Sequence, residues 1–325
     1  MLESRRVLPL FFALALPAQA SAQHAITWDS SRHTAALSQV QDVAPLAFGG
    51  AAAITRVGAI GSNADPHLEV FDGFGASALN VPLPDQGFQR VSSSADGGAF
   101  VGFEESAGAF GGAPLGGRDA VLLRVDRDGQ LSTAIRIGGS RDDRPQRLVA
   151  DGAGGCYLSG VTSSLDFGTP IAAFVAEGFV ARIDALGNVL WVRRYASSDP
   201  VVLAPDGSGG VWVGSDVVRR LDSSGAETYF QSAGLFGDVR HIAASDGNAF
   251  VTDERGSSQS ELRLYTGPTS HVPIVLPGPS RTVTSLASGP TGPVFVVGRR
   301  STPLVQDVWV GALDPQGAWL WEEPF

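Results

Sequence analysis

Apolar and polar residues alternate along this chain in short runs, and the runs come in pairs. In residues 119–169 one such run, Ala120-Val121-Leu122-Leu123-Arg124-Val125, leads into the turn Asp126-Arg127-Asp128-Gly129. A second run follows, then a loop, then a hairpin from Leu148-Val149-Ala150 through Asp151-Gly152 to Cys156-Tyr157-Leu158. Successive side chains of a strand face opposite sides, so alternation of this kind predicts strands. Gly accepts the positive φ of a hairpin tip, so the Asp-Gly punctuation predicts tight turns between them. No stretch carries the 3.6-residue periodicity of a long amphipathic helix.

The pattern recurs. Hairpins are predicted at 43–57, 91–103, 148–161, 201–214, 242–252 and 283–298. Their tips are Gly49-Gly50, Asp96-Gly97-Gly98, Asp151-Gly152, Asp206-Gly207, Asp246-Gly247 and Thr291-Gly292. Each is followed by another strand, a turn, and a further strand. Those turns carry Asp72-Gly73, Asp126-Arg127-Asp128-Gly129, Asp184-Ala185-Leu186-Gly187, Asp222-Ser223-Ser224-Gly225 and Asp314-Pro315-Gln316-Gly317, with a weaker copy at Thr266-Gly267. Each unit therefore supplies four strands. One such sheet cannot bury both faces alone, and radial stacking of neighbours does so while protecting the edges. The expectation is an all-β chain, a β-propeller of four-stranded antiparallel blades, with six blades preferred over seven. Residues 25–37, around Trp28, are left over. They would close the ring against the last blade or be the remnant of a seventh.

The N-terminus reads differently. Arg5 and Arg6 precede the apolar run 7–16, and Pro17-Ala18-Gln19-Ala20-Ser21-Ala22 offers small residues for cleavage after Ala20 or Ala22. The run is too short to span a bilayer, and the order is that of a signal peptide. Residues 1–22 are expected to direct export, leaving 23–325 as a single propeller domain, periplasmic or extracellular.

Composition narrows the partners. Every one of the 23 basic residues is Arg. The absence of Lys excludes Schiff-base and lysine-base chemistry. Removing Glu3, Arg5 and Arg6 leaves 21 Arg against 32 acids, a net charge of about −11. An acidic surface argues against nucleic acid and anionic membranes, and no later segment is long and apolar enough for a membrane span. The lone Cys156 permits no intramolecular disulfide, and a domain of about 300 residues buries enough core without one. A monomer is expected.

Residues 119–169 resemble the bacterial β-propeller repeat known as the SBBP repeat. The matching residues are Asp119-Ala120-Val121, Arg124-Val125-Asp126, Gly129, Gly138-Gly139-Ser140, Asp142-Asp143, Leu148-Val149-Ala150-Asp151, Gly155, Tyr157, Gly160 and Thr162-Ser163-Ser164-Leu165-Asp166-Phe167. Residues 179–195 match the start of a further copy. About a quarter of the chain matches well and the rest loosely. The resemblance implies a propeller and an exported or surface-associated bacterial protein, with no particular chemistry. Gly187-Asn188-Val189-Leu190-Trp191 and Gly317-Ala318-Trp319-Leu320-Trp321 are also similar to quinoprotein-type repeats, which occur in non-enzymatic scaffolds too.

Candidate chemistry is sparse. Asp126-Arg127-Asp128-Gly129 opens like a calcium loop, but Gln130-Leu131-Ser132-Thr133-Ala134 follows without the carboxylates such a loop needs. Ser94-Ala95-Asp96-Gly97-Gly98 loosely resembles the Asp-box of sialidase-type propellers but lacks its aromatic end. An ordinary Asp-Gly turn accounts for both. His24, His33, His67, His241 and His271 lack metal-ligand spacing. There is no Gly-x-Ser-x-Gly elbow, and no His lies near Cys156 in sequence. The acid pairs Glu104-Glu105 and Asp142-Asp143 fall in predicted loops, and Glu322-Glu323 near the C-terminus reads as a solvated face. Trp191, Trp212, Trp309, Trp319 and Trp321 sit at strand positions and read as packing between blades. The C-terminal Phe325 resembles an outer-membrane barrel signal, which the short, Gly-rich strands argue against.

An arginine series is more informative. Eight residues before each second strand stand Arg90, Arg147 and Arg240; the equivalents elsewhere are Asp42, Val202 and Ser285. This residue starts the innermost strand and should face the mouth of the central channel, on the rim shared with the long loops 104–118 and 163–177. Guanidiniums around a narrow mouth suit a carboxylate, sulfate or phosphate ligand. The competing reading is local pairing with Asp85, Asp142 or Asp238. The sequence thus points to an exported, non-catalytic binding or scaffold propeller without a cofactor, recognising a protein or an anionic small-molecule or glycan ligand. A carbohydrate-active hydrolase or lyase using axial Arg and acids is the alternative. A quinone-dependent dehydrogenase ranks third, because neither a calcium site nor a stacking axial Trp is visible.

Overall fold

The computed structural model describes residues 36–324 apart from 48, 60–64, 86, 170, 172–175, 197–200, 233–238, 256–258, 268–269, 277–280, 289–290 and 302–305. Residues 1–22, with the expected export signal, and 25–35 of the leftover N-terminal stretch lie outside the described residues.

Among the described residues the chain forms six four-stranded sheets and no helix. The first holds β1 (Ala36–Pro45), β2 (Ala51–Ala59), β3 (Asp65–Phe71) and β4 (Ser77–Pro82). The second holds β5 (Gln89–Ser93), β6 (Ala99–Glu105), β7 (Asp119–Val125) and β8 (Leu131–Ile137). The third holds β9 (Asp143–Ala150), β10 (Cys156–Thr162), β11 (Glu177–Ile183) and β12 (Val189–Tyr195). The fourth holds β13 (Val202–Pro205), β14 (Val211–Gly214), β15 (Val217–Leu221) and β16 (Glu227–Ser232). The fifth holds β17 (Val239–Ser245), β18 (Asn248–Arg255), β19 (Gln259–Gly267) and β20 (Ser270–Ile274). The sixth holds β21 (Arg281–Ser288), β22 (Val294–Ser301), β23 (Gln306–Leu313) and β24 (Trp319–Pro324). Strands pair antiparallel in chain order within each sheet. The first strands of successive sheets lie side by side. This is a β-propeller with six described blades.

The apolar pattern explains the stacking. A blade's second strand is covered on both faces, and in β6 every residue of Ala99-Phe100-Val101-Gly102-Phe103-Glu104-Glu105 is buried. Its outer strand, β8, is partly exposed and carries Ser132 and Thr133. Phe103, Val121 and Leu123 face blade one, against Ile54, Leu68 and Val70. Phe100, Ala120 and Leu122 face blade three, against Leu158, Phe179 and Ile183. Similar cores join blades three and four around Tyr157 and Val211, four and five around Trp212 and Tyr265, and five and six around Phe250 and Trp309. Burying one such side chain is worth about 1.5–3 kcal/mol. Trp191 and Trp319 pack at the edges of these cores, whereas Trp321 is exposed.

Polar clasps reinforce the middle of the ring. Phe100 and Arg124, Tyr157 and Arg182, and Trp212 and Arg220 are cross-strand pairs, with each guanidinium 5.5–5.8 Å from the ring centroid. Each Arg also pairs with the Asp of its own blade's first hairpin: Asp96, Asp151 and Asp206 respectively. Arg124 reaches the Ala185 carbonyl of the next blade, and Arg182 the Ser223 carbonyl of the blade after it. The matching residues in blades one, five and six are Val70, Leu264 and Ala312, so no such clasp forms there.

The acid pairs depart from expectation. Glu104 and Glu105 close β6 rather than sitting in a loop, and Asp143 opens β9; all three are buried. Each finds a polar partner, which makes burial tolerable. Glu104 binds Arg118, while Glu105 and Asp119 share Arg136. Asp143 accepts hydrogen bonds from the Gly139 N–H and the Ser164 hydroxyl, both at 2.7 Å. Asp142 pairs with Arg144 near the surface.

Candidate functional site

One register position is repeated on the first strand of each sheet. Arg90 pairs with Gly102 and Arg147 with Ser159, each one step before the first apolar pair of its hairpin. The same position is filled by Asp42 opposite Ile54, Val202 opposite Gly214, His241 opposite Thr252 and Ser285 opposite Val297. Bulges place it in several blades: Gln41, Gln146, Arg240 and Thr284 are the extra residues immediately before it. A bulge leaves one residue unpaired and re-aims its neighbour.

Arg240 is therefore out of register with the other two arginines. In blade two the ladder closes from Ser93 to Ala99, but in blade five the equivalent pair is Ala244 to Ala249. Blade five turns through Asp246 and Gly247, both at positive φ, and its hairpin is one residue shorter. Counting back eight residues lands on the bulge. Arg240 is exposed there, and His241 takes the register position.

Arg90 and Arg147 come together with Asp42. The Val91 N–H, next to Arg90, donates to Asp42 Oδ2 across the blade boundary at 3.0 Å. The Val43 N–H donates to Asp42 Oδ1 at 3.1 Å. Burial raises the Asp42 pKa; the Val91 hydrogen bond and the charges of Arg90 and Arg147 oppose the rise without cancelling it. Arg147 is lowered, first by burial and then by Arg90, with Asp42 acting the other way. Asp42, Arg90 and Arg147 are thus three half-buried charges on the first strands of three successive blades. Each arginine donates one Nη1 hydrogen bond to the carbonyl of the preceding residue, Gln89 or Gln146, at 3.0 Å. Arg90 also lies 5.5 Å from the Phe88 ring centroid.

Among the described residues neither Arg90 nor Arg147 has a carboxylate within 4.0 Å. The acids that could have claimed them are engaged elsewhere: Asp85 with Arg56 at 2.6 Å, and Asp142 with Arg144 at 2.8 Å. Asp238 lies outside the described residues. The one hydrogen bond described for each guanidinium goes to its own strand. The sequence signal for Asp42 was its sign, an acid at the ring position where neighbouring blades carry Arg.

The other candidates fall elsewhere. Asp126 Oδ1 accepts the backbone N–H groups of Asp128 and Gln130, closing its own turn. Asp96 closes the first hairpin of blade two and pairs with Arg124. His67 contacts Asn80 and His271 contacts Gln231, while His24 and His33 lie outside the described residues. No group of three or more His, Cys, Asp or Glu side chains is placed to hold a metal among the described residues. Cys156 is fully buried, and burial pushes its thiol far up.

No family model matches the chain, and no curated protein matches it in sequence. Solved structures do match. A catalytically inactive variant of virginiamycin B lyase from Staphylococcus aureus, with quinupristin, aligns at TM-score 0.50 and 13% identity, covering 85% of this chain and 96% of that one. A protein of unknown function from Bacteroides caccae aligns at TM-score 0.46 and 12% identity over 80% of this chain and 90% of that one. The WD40 domain of Neurospora crassa Pan2 gives TM-score 0.45 and 12% identity over 72% and 65%. The fold is that of a β-propeller. Identity this low carries the fold alone, because propellers host unrelated functions.

Proposed function

We propose that this chain is an exported, non-catalytic binding or scaffold propeller of the bacterial periplasm or exterior. It captures an anionic group, borne by a protein, a small molecule or a glycan, at the axial mouth. The observation that carries this reading is the pair Arg90 and Arg147, at one register position on adjacent inner strands with no carboxylate partner among the described residues. Guanidinium forks recognise carboxylate and phosphate geometry well, and a partly dry mouth strengthens the attraction. The resemblance of residues 119–169 to an exported bacterial repeat supports the location.

A lyase or hydrolase is the second reading, favoured by one observation: Asp42, with its raised pKa, shares the mouth with both arginines. Against it, glycoside hydrolysis needs two carboxylates around the scissile bond. Both Asp42 oxygens also already hold backbone N–H groups, which suits positioning better than proton abstraction.

Thermal melting of the mature protein against a panel of anions tests the proposal. A ligand that binds only the folded state raises Tm by mass action. The expected result is a saturable rise with one anionic class, lost in Arg147→Ala. A flat response across the panel would overturn the anion site and leave a protein-binding scaffold.

A further inference from the structure

Resting on that anion site, we infer that its ligand is a hydroxylated monocarboxylate of the uronic acid kind, and that Asp42 is the residue that selects it. The argument begins with charge. Arg90 and Arg147 bring two positive charges to the mouth and Asp42 one negative charge, so the site offers a net single positive charge. A carboxylate neutralises it. A sulfate or phosphate dianion overshoots and meets Asp42 as a like charge in a half-buried setting, where Coulomb energies are several times their value in water.

The hydrogen-bond inventory points the same way. Each guanidinium has five N–H donors, and one Nη1 bond per arginine goes to its own strand. The remaining donors are enough to fork around one carboxylate from two sides. Each Asp42 oxygen accepts one backbone N–H and retains a second lone pair. Its unused capacity is therefore for accepting only. A ligand that places a hydroxyl beside its carboxylate satisfies both halves: acceptor oxygens to the arginines, a donor to Asp42. A bare carboxylate leaves Asp42 unused. A zwitterionic amino acid also offers a donor, but being neutral overall it leaves the net positive charge of the mouth uncompensated.

Isothermal titration of the mature protein with galacturonate, trigalacturonate, sulfate, acetate and glucose tests this. Wild type should bind galacturonate at least tenfold more tightly than sulfate or acetate, and glucose should not register. Asp42→Asn should weaken galacturonate about fivefold and tighten sulfate about threefold, because it removes the like charge and one acceptor. Trigalacturonate offers the mouth one of its three carboxylates with the others left in solvent; its binding tenfold tighter than galacturonate identifies a glycan chain as the source, and equal binding identifies the free sugar acid. Sulfate binding as tightly as galacturonate, with both lost in Arg147→Ala, overturns the selectivity while leaving the anion site standing. No binding of any of the anions overturns both. Melting curves of the ligand-free variants show whether they fold, and Asp42→Ser provides a second substitution that removes the charge.

Discussion

Arg90 and Arg147 occupy one register position on the adjacent strands β5 and β9, each donating a hydrogen bond to its own backbone and neither within 4.0 Å of a carboxylate among the described residues. Like charges held this close, and partly dried, oppose folding. Arg147→Met keeps the apolar stem and removes one charge. It should unfold in urea within about 1 kcal/mol of wild type, on the more stable side, while anion binding is lost. A destabilisation well beyond that range would mean that Arg147 serves the fold rather than a ligand.

The clasps of blades two to four make a different prediction. Arg182 joins Asp151, which is almost fully buried, to the Ser223 carbonyl of the next blade. Arg182→Met leaves Asp151 with only the backbone N–H groups of Ala153 and Gly155. A hydrogen bond to a charged group is worth about 1.5–3 kcal/mol, and a loss in that range is expected from chemical denaturation. Leu264→Met, at the matching position of blade five where no clasp exists, should cost less than about 1.5 kcal/mol. Equal costs at the two positions would remove the clasp as an explanation.

The strand pattern made the architecture legible because a propeller repeats one local rule. Alternation, Asp-Gly turns and a period near that of a blade each report the same four-stranded unit. The site was harder to read because it depends on register, which a one-residue difference in hairpin length shifts. Arg90 and Arg147 share hairpins of equal length, so counting found both. Arg240 is the bulge residue ahead of a shorter hairpin, so counting missed His241. Burial of Glu104, Glu105 and Asp143 was illegible for another reason: their partners Arg118, Arg136 and Ser164 lie 14 to 31 residues away in sequence. Only the folded loops bring them together.

Arg136, Glu105 and Asp119 form an ion-pair cluster with all three side chains almost completely buried. Arg136 also donates to the Glu105 and Phe110 carbonyls. Arg136→Met strands two carboxylates in a dry setting. The expected loss is about 3–5 kcal/mol, the range for removing one partner of a buried ion pair. The triple change Arg136→Met, Glu105→Gln, Asp119→Asn should recover part of it, because no charge is then left alone. Urea titrations of the single and triple variants decide between this and simple loss of packing, in which case the triple variant would be worse than the single.

Asp206 and Asp143 should tilt the stability of the fold in opposite directions with pH. For Asp206, burial pushes the pKa up, but the N–H groups of Ser208 and Gly210, the Ser208 hydroxyl and Arg220 together bring it below the usual carboxylate value. A depressed pKa means stability that is present above the unfolded value, about 3.9, and lost as pH falls through the folded one. Asp206→Asn should therefore cost most at pH 7 and progressively less below pH 4. For Asp143, burial raises the pKa; hydrogen bonds from Thr162, Gly139 and Ser164 reduce the rise, and the Asp119 charge adds to it. A raised pKa means a contribution complete below the unfolded value and lost as pH climbs through the folded one. Asp143→Asn keeps an oxygen for the Gly139 N–H, so relative to wild type it should gain stability as pH rises above the unfolded carboxylate value of about 3.9. Unfolding free energies of both variants across pH 3 to 8 check the pair. Parallel slopes would show that the two carboxylates are not in the opposed environments described for them.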